Sequence, residues 1–316
     1  MKIACVGAGR MGRGIALAFT LAGREVTLVD LKPRANFEQL KAEAMQEMEA
    51  SLAMLAELGA IPQESVQQHL ARISVVQDAG ALRRADLIFE AVPETLEAKR
   101  DALAQICGIV SEKAILASTT STILVTDLVP LVTHPGRLLN AHWLNPAYLI
   151  PLVEISVHAG TDKAVIEKLK KLLEDAGKVP VVCGPTPGFI VPRLQALVMN
   201  EAARMVEEGA ASAEDIDKAT RYGLGLRFSA IGVVEFIDYG GNDILYYASR
   251  YLAEKVSAER YAAPEIVQRL MREGHLGLKT GQGFYDYRGR DGRAYRKDVL
   301  ARTLAALGAF KRKTEA

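Results

Sequence analysis

The sequence predicts an α/β protein: an N-terminal doubly wound, parallel sheet with an inserted helical hairpin, then an all-helical C-terminal domain. Three observations carry this. A short apolar strand runs straight into a glycine-rich turn, Gly7-Ala8-Gly9-Arg10-Met11-Gly12. Apolar runs then alternate with helical patterns as far as Cys183. From about residue 188 strand patterning stops and helical periodicity dominates.

K-I-A-C-V-G, 2–7, is apolar and ends in glycine, so it reads as a buried strand. Residues 11–22 place Ile15, Leu17, Ala18, Phe19 and Leu21 on a helix that Gly23 ends, and E-V-T-L-V-D, 25–30, is a second strand. Strand, helix, strand within about thirty residues is a βαβ unit, which implies parallel pairing. Residues 34–70 are long for one crossover and read as two helices with a turn at Gly59-Ala60-Ile61-Pro62. Strands are expected at 73–76, 86–92, 114–119, 137–143, 152–157 and 179–183, with helices at 94–108 and 162–176. A chain of 316 residues favours two domains. The turn G-P-T-P-G at 184–188 divides them into 1–184 and 185–316, and K-R-K-T-E-A at 311–316 reads as a frayed end.

Composition narrows the function classes. Lys and Arg number 39 against 38 Asp and Glu, so the chain has no net field for nucleic acid or an anionic membrane. Hydrophobic residues make up 49%, enough for a core without disulfides or a structural metal. Cys5, Cys107 and Cys183 are sparse and lack metal-type spacing, which suggests reduced thiols in a cytoplasm-like compartment. The start reads as a strand, not a signal peptide, and no apolar run approaches the ~18 residues of a membrane span.

G-A-G-R-M-G alone is a weak signal. Here it follows a strand, opens a helix, and is followed by Asp30 at the end of the next strand, which is the dinucleotide context of a Rossmann-type fold. Gly7 makes the tight turn, Gly9 admits the pyrophosphate, and Gly12 allows close packing, while the helix N-terminus offers free N–H groups. Asp30 accepts hydrogen bonds from ribose hydroxyls and repels a 2′-phosphate, so NAD is favoured over NADP; Lys32 and Arg34 just beyond it weaken that discrimination.

Of the five histidines, only His142 ends an apolar strand, immediately before Trp143 and the loop Leu144-Asn145-Pro146. The sheet's C-terminal edge is where doubly wound folds bind ligands, so His142 is the best candidate general base, with a structural strand cap as the alternative. Glu154 stands inside Leu152-Val153-Glu154-Ile155. A glutamate in such a run is rarely buried alone; it either orients His142 across a loop between strands or faces outward on an edge strand. The hydroxyl run 118–122 after a strand either bonds substrate or is turn chemistry.

These strings together resemble the L-3-hydroxyacyl-CoA dehydrogenase family, including relatives acting on free L-gulonate (the lambda-crystallin branch) and carnitine. The resemblance spans nearly the whole chain: G-A-G-R-M-G-R-G-I-A at 7–16, E-A-V-P-E at 90–94 with Lys99, A-S-T-T-S-T at 117–122, H-W-L-N-P at 142–146, L-V-E at 152–154, P-G-F-I at 187–190 and G-L-K-T-G-Q-G-F-Y at 277–285. It implies His142 as base, Glu154 as its orienting carboxylate, and Ser121 in contact with substrate and nicotinamide. It implies Glu94, Lys99, Asn145 and Lys279 along the cofactor, and a homodimer paired through the helical domain. Two departures concern the substrate. Pro192 and Thr119 stand where the family usually has asparagines, with Gln195 one turn after Pro192. The hairpin, lysine-rich in the family where it holds the CoA 3′-phosphate, has no Lys or Arg in 45–70. The expected activity is NAD-dependent oxidation of a short 3-hydroxyacyl-CoA such as 3-hydroxybutyryl-CoA. A free 3-hydroxy acid, its carboxylate held by Arg193 or Arg227, is the alternative. A cofactor-binding protein without catalysis is a third reading, which the set Ser121, His142 and Glu154 disfavours.

Overall fold

A computed structural model describes residues 1–311; the expected frayed end beyond Lys311 lies outside the described residues. By compactness the chain divides into Met1–Met199 and Asn200–Ala316.

The first unit holds one eight-stranded sheet in the order β3-β2-β1-β4-β5-β6-β7-β8. Its strands are β1 (Ile3–Val6), β2 (Val26–Val29), β3 (Ile73–Val76), β4 (Leu87–Glu90), β5 (Ile115–Ser118), β6 (Leu138–Trp143), β7 (Leu152–Ser156) and β8 (Val179–Cys183). The order reverses between β1 and β4, the switch point at which such sheets bind ligands. Parallel pairing, expected from the βαβ unit, holds from β1 to β6. The last two strands depart from it: β7 runs antiparallel to β6, and β8 is parallel to β7. Only the loop 144–151 joins β6 to β7, too short for the crossover that a parallel pair requires.

The strands are apolar on both faces because both are covered. Along β1, Ile3 and Cys5 join the cluster containing Phe19, Leu28, Phe89 and Trp143. Ala4 and Val6 join Val29, Ile88, Leu103 and Leu116 on the other side. The hairpin consists of helix Phe37–Glu57 and helix Val66–Leu70; Met48, Leu52, Val66 and Leu70 join the first cluster. His69 Nδ1 meets the carbonyl of Thr20 at 3.0 Å, tying the hairpin to helix Arg10–Leu21.

The change from strand to helix after Cys183 follows the sequence reading, but the compact units part at 199/200, inside helix Val191–Glu207, rather than at 184/185. The second unit is helical, with Asn242–Lys255 and Gly292–Lys311 its longest complete helices. Within it, buried Asp238 accepts the N–H groups of Phe284 and Tyr285 at 2.9 and 2.8 Å, which fixes the loop G-L-K-T-G-Q-G-F-Y.

Candidate active site

The glycine turn lines a cleft of about 400 Å³ together with Asp30, Lys32, Arg34 and the strand-end residues Ala91-Val92-Pro93. Gly7 has φ +109°, and a Cβ there would lie 2.5 Å from the Ala91 carbonyl oxygen. A Cβ on Gly12 would overlap the carbonyl of Gly7. At Gly9 a side chain would meet nothing within 4 Å, so this backbone faces open cleft where a pyrophosphate can approach it. Ala8, Arg10 and Met11 complete the turn, and Arg10 opens the helix whose N-terminus points at the cleft. Asp30 is buried at the end of β2, its carboxylate accepting from Arg34 Nε and, at 3.3 Å, from the Lys32 N–H. These residues fit NAD: backbone donors for phosphate and a carboxylate for the ribose.

Behind the cleft wall lies a polar cluster. Glu90, at the buried end of β4, receives Lys99 Nζ at 3.0 Å on both oxygens, Ser118 Oγ, and the Val92 N–H at 2.9 Å. Lys99 is 0% exposed. It reaches Glu90 and, at 3.5 Å, Glu94. In the structure it therefore stands beneath Ala91-Val92-Pro93, not on the cleft surface. Glu94 accepts from the Thr120 hydroxyl, from Ser121 N–H at 2.8 Å and from Thr122 N–H at 2.9 Å. Glu94 thus clasps the turn that carries exposed Ser121. Partial burial raises the Glu94 pKa, but the hydrogen bonds from Thr120 and Thr122 and the Lys99 charge outweigh it and hold the value down to about 2.

His142 and Glu154 are opposite residues in the antiparallel β6–β7 register. Both are buried, and His142 Nδ1 lies 2.7 Å from Glu154 Oε2. An ionised carboxylate only accepts, so the Nδ1 position carries the proton and Nε2 keeps its lone pair. The other Glu154 oxygen takes the N–H groups of Ile190 and Val191 at 2.9 and 2.8 Å, at the start of helix Val191–Glu207. Phe189, at φ 45°, stacks on the imidazole with ring centroids 5.0 Å apart and planes 3° apart. The imidazole is thus fixed in tautomer by Glu154 and in orientation by Phe189.

Ser121, His142 and Glu154 all lie in the first unit: Ser121 after β5, His142 near the end of β6 and Glu154 mid-strand in β7. Asn145 is exposed on the loop following His142. Lys279 belongs to the second unit and pairs with Asp243 at 2.5 Å. Pro192 is the second residue of its helix, where the missing N–H is no loss. Thr119 is buried, its N–H bonded to the Glu90 carbonyl at 2.8 Å. Glu90, Phe189 and the Ile190 and Val191 amides carry no role in the sequence reading, and Ser118, part of the candidate hydroxyl run, serves Glu90. Glu90 carries the same signal as Glu154, a glutamate in an apolar strand. The amide pair gives no local signal, because it reaches Glu154 from 36 and 37 residues away. Among the described residues, no group of three or more His, Cys, Asp or Glu is placed to hold a metal, and no helix is long and apolar enough to cross a membrane.

Comparison with known proteins fits this geometry. A family model described as the NAD binding domain of 3-hydroxyacyl-CoA dehydrogenase matches residues 2–186, and one for that enzyme's C-terminal domain matches 188–287. The chain is 33% identical to a 3-hydroxybutyryl-CoA dehydrogenase of Bradyrhizobium diazoefficiens, over 91% of this chain and 96% of that one. It is 30% identical to a 5-formyl-3-hydroxy-2-methylpyridine 4-carboxylate 5-dehydrogenase of Mesorhizobium japonicum, over 97% of this chain and 96% of that one. A crystal structure of a 3-hydroxyacyl-CoA dehydrogenase from Archaeoglobus fulgidus superposes with a TM-score of 0.77 at 33% identity, covering 98% of this chain and 99% of that one.

Proposed function

Because the chain belongs to the 3-hydroxyacyl-CoA dehydrogenase family and is an NAD-dependent oxidoreductase, we propose that it oxidises the L-3-hydroxyl of a short 3-hydroxyacyl-CoA, of the 3-hydroxybutyryl kind, reversibly to the 3-oxo compound. The observation that carries this reading is the His142–Glu154 pair, which leaves Nε2 as an acceptor. His142 Nε2 takes the hydroxyl proton as the carbinol becomes a carbonyl. Glu154 holds the ring and stabilises the imidazolium that forms. NAD, when bound on the glycine turn, would supply the acceptor for the hydride that leaves C3 with its two electrons. Ser121 bonds the substrate oxygen, and Asn145 supports the cofactor, as the family resemblance assigns them.

A second reading is the oxidation of a free 3-hydroxy acid. The absence of Lys and Arg from 45–70 favours it, as does the relative named for a pyridine carboxylate. Steady-state assays with NAD should give the higher kcat/KM for L-3-hydroxybutyryl-CoA over free 3-hydroxybutyrate, carnitine and L-gulonate. The reverse order would install the free-acid reading.

The enzyme acts as a homodimer in a reducing, cytoplasm-like compartment. Helix Val191–Glu207 has no buried residue, and Leu194, Leu197, Val198, Met199 and Val206 are exposed along it. A second copy is the covering surface that the family resemblance supplies. Light scattering at micromolar concentration should give twice the chain mass of 34.3 kDa; a monomer would refute it.

A further inference from the structure

The loop 144–151 joins β6, which carries His142, to β7, which carries Glu154. It begins directly after Trp143, the residue following His142. Its own bonds are few: the Leu149 and Ile150 N–H groups both donate to the Pro146 carbonyl at 2.9 Å. Its end is tied to β8 by the Val179 N–H, which donates to the Pro151 carbonyl at 2.8 Å. Asn145, Pro146, Ala147 and Tyr148 line a recess together with Arg10 and Arg13, and both arginines also line the cofactor cleft. The loop therefore connects the base to the wall of the cofactor site.

Lys178 reaches this loop from outside it. It immediately precedes β8 and is buried. Its Nζ donates to the Ala147 carbonyl at 2.7 Å and to the Ile150 carbonyl at 2.9 Å. The same ammonium lies 5.6 Å from the centroid of the Trp143 ring, which is buried edge-on against Phe19 and Phe89. An ammonium has three donors and no acceptor; two serve the carbonyls, and the indole face attracts the remaining charge. Among the described residues no carboxylate pairs with Lys178, and burial lowers its pKa. A buried charge without a counter-ion costs free energy that an apolar side chain of the same length would not. What the apolar side chain would lack is the pair of bonds that gathers Ala147 and Ile150 onto one point.

We propose that Lys178 is a positioning residue for the reaction. By holding Ala147 and Ile150 it fixes the loop 144–151, and through the loop both the end of β6 that carries His142 and the Asn145 wall beside the cofactor cleft. The proposal rests on the reading of His142 as the base and deepens it. Glu154 sets the tautomer of the imidazole, Phe189 sets its plane, and Lys178 sets the chain segment from which it projects.

The test uses the full chain and the variants Lys178→Met, Lys178→Gln and Lys178→Arg. Trp143 is the chain's only tryptophan, so acrylamide quenching of its fluorescence reports on the loop without any turnover. Kd for NAD comes from calorimetry, and kcat from turnover of L-3-hydroxybutyryl-CoA. Lys178→Met should make Trp143 more accessible to the quencher and weaken NAD. It should also lower kcat roughly ten- to a hundredfold, the scale of a small misplacement of reacting groups. Lys178→Arg restores a charged, forked donor and should recover part of all three losses; Lys178→Gln, without the charge, should recover less. If Lys178→Met does not fold, the order of Lys178→Gln below Lys178→Arg carries the test. A lysine that only stabilises the fold would lower the urea midpoint of Lys178→Met while quenching, NAD affinity and kcat of the folded protein stayed unchanged. That result overturns the proposal, as does equal behaviour of Lys178→Gln and Lys178→Arg. Absent turnover in the unsubstituted chain would defeat the assigned reaction, whereas quenching and NAD affinity would still decide the role of Lys178.

Discussion

Replacing His142 with glutamine should lower kcat by roughly 10²–10⁴, the usual contribution of a positioned general base. Glutamine can still hydrogen-bond, but it cannot take the carbinol proton. The scaffold should tolerate the change. Glu154 keeps two of its donors, the Ile190 and Val191 N–H groups, so its carboxylate is not stranded. NAD affinity should hardly move, because the cofactor cleft is built from the glycine turn, Asp30 and Ala91-Val92-Pro93. Steady-state kinetics and calorimetric NAD binding on the same preparation check both halves. Near-normal turnover in His142→Gln would remove the imidazole from the chemistry.

The largest stability effect is expected at Lys99. Its side chain and that of Glu90 are 0% and 2% exposed and lie 3.0 Å apart. Lys99→Met keeps much of the volume but leaves the Glu90 carboxylate with only the Val92 N–H and the Ser118 hydroxyl. Removing one partner of a buried ion pair costs about 3–5 kcal/mol, since the other charge stays desolvated. Urea unfolding of Lys99→Met should show a loss of that size at unchanged m-value. The double variant Glu90→Gln/Lys99→Met should recover part of it, because neither charge then remains. A single-variant loss below about 1 kcal/mol would mean that water or another cation reaches Glu90.

Glu90 and Glu154 show what the sequence could and could not reveal. Both are glutamates inside apolar strands, and both are buried with a cationic or ionisable partner. Asking what Glu154 pairs with leads to His142, because a single short loop joins their strands and brings them into register. The same question at Glu90 leads to Lys99, nine residues on in the next helix. Without it, Lys99 is read only through family resemblance, as a cofactor contact, and its buried position goes unforeseen. Alternating strands and helices made the sheet legible as far as β5, since the crossovers up to that strand show their helical period; β6 was legible only as an apolar run, because its crossover holds one short helix, Val125–Leu128. The reversal of β7 was not legible in the strand–helix alternation; it lies in the length of the loop 144–151, too short for a parallel crossover, after which β8 pairs parallel to β7. Nor was the tie between Glu154 and the amides after Phe189 legible, being made by backbone N–H groups whose direction no residue type encodes.

The measurement that tests the central claim most directly follows one atom. L-3-hydroxybutyryl-CoA deuterated at C3 is supplied with NAD, and the nicotinamide product is analysed by mass spectrometry. The account predicts that the reduced cofactor gains the deuterium, transferred as deuteride, that the thioester becomes the 3-oxo compound, and that His142→Gln slows both together. Reduced cofactor without label, or no reduced cofactor from this substrate while a free 3-hydroxy acid yields it, would contradict the account.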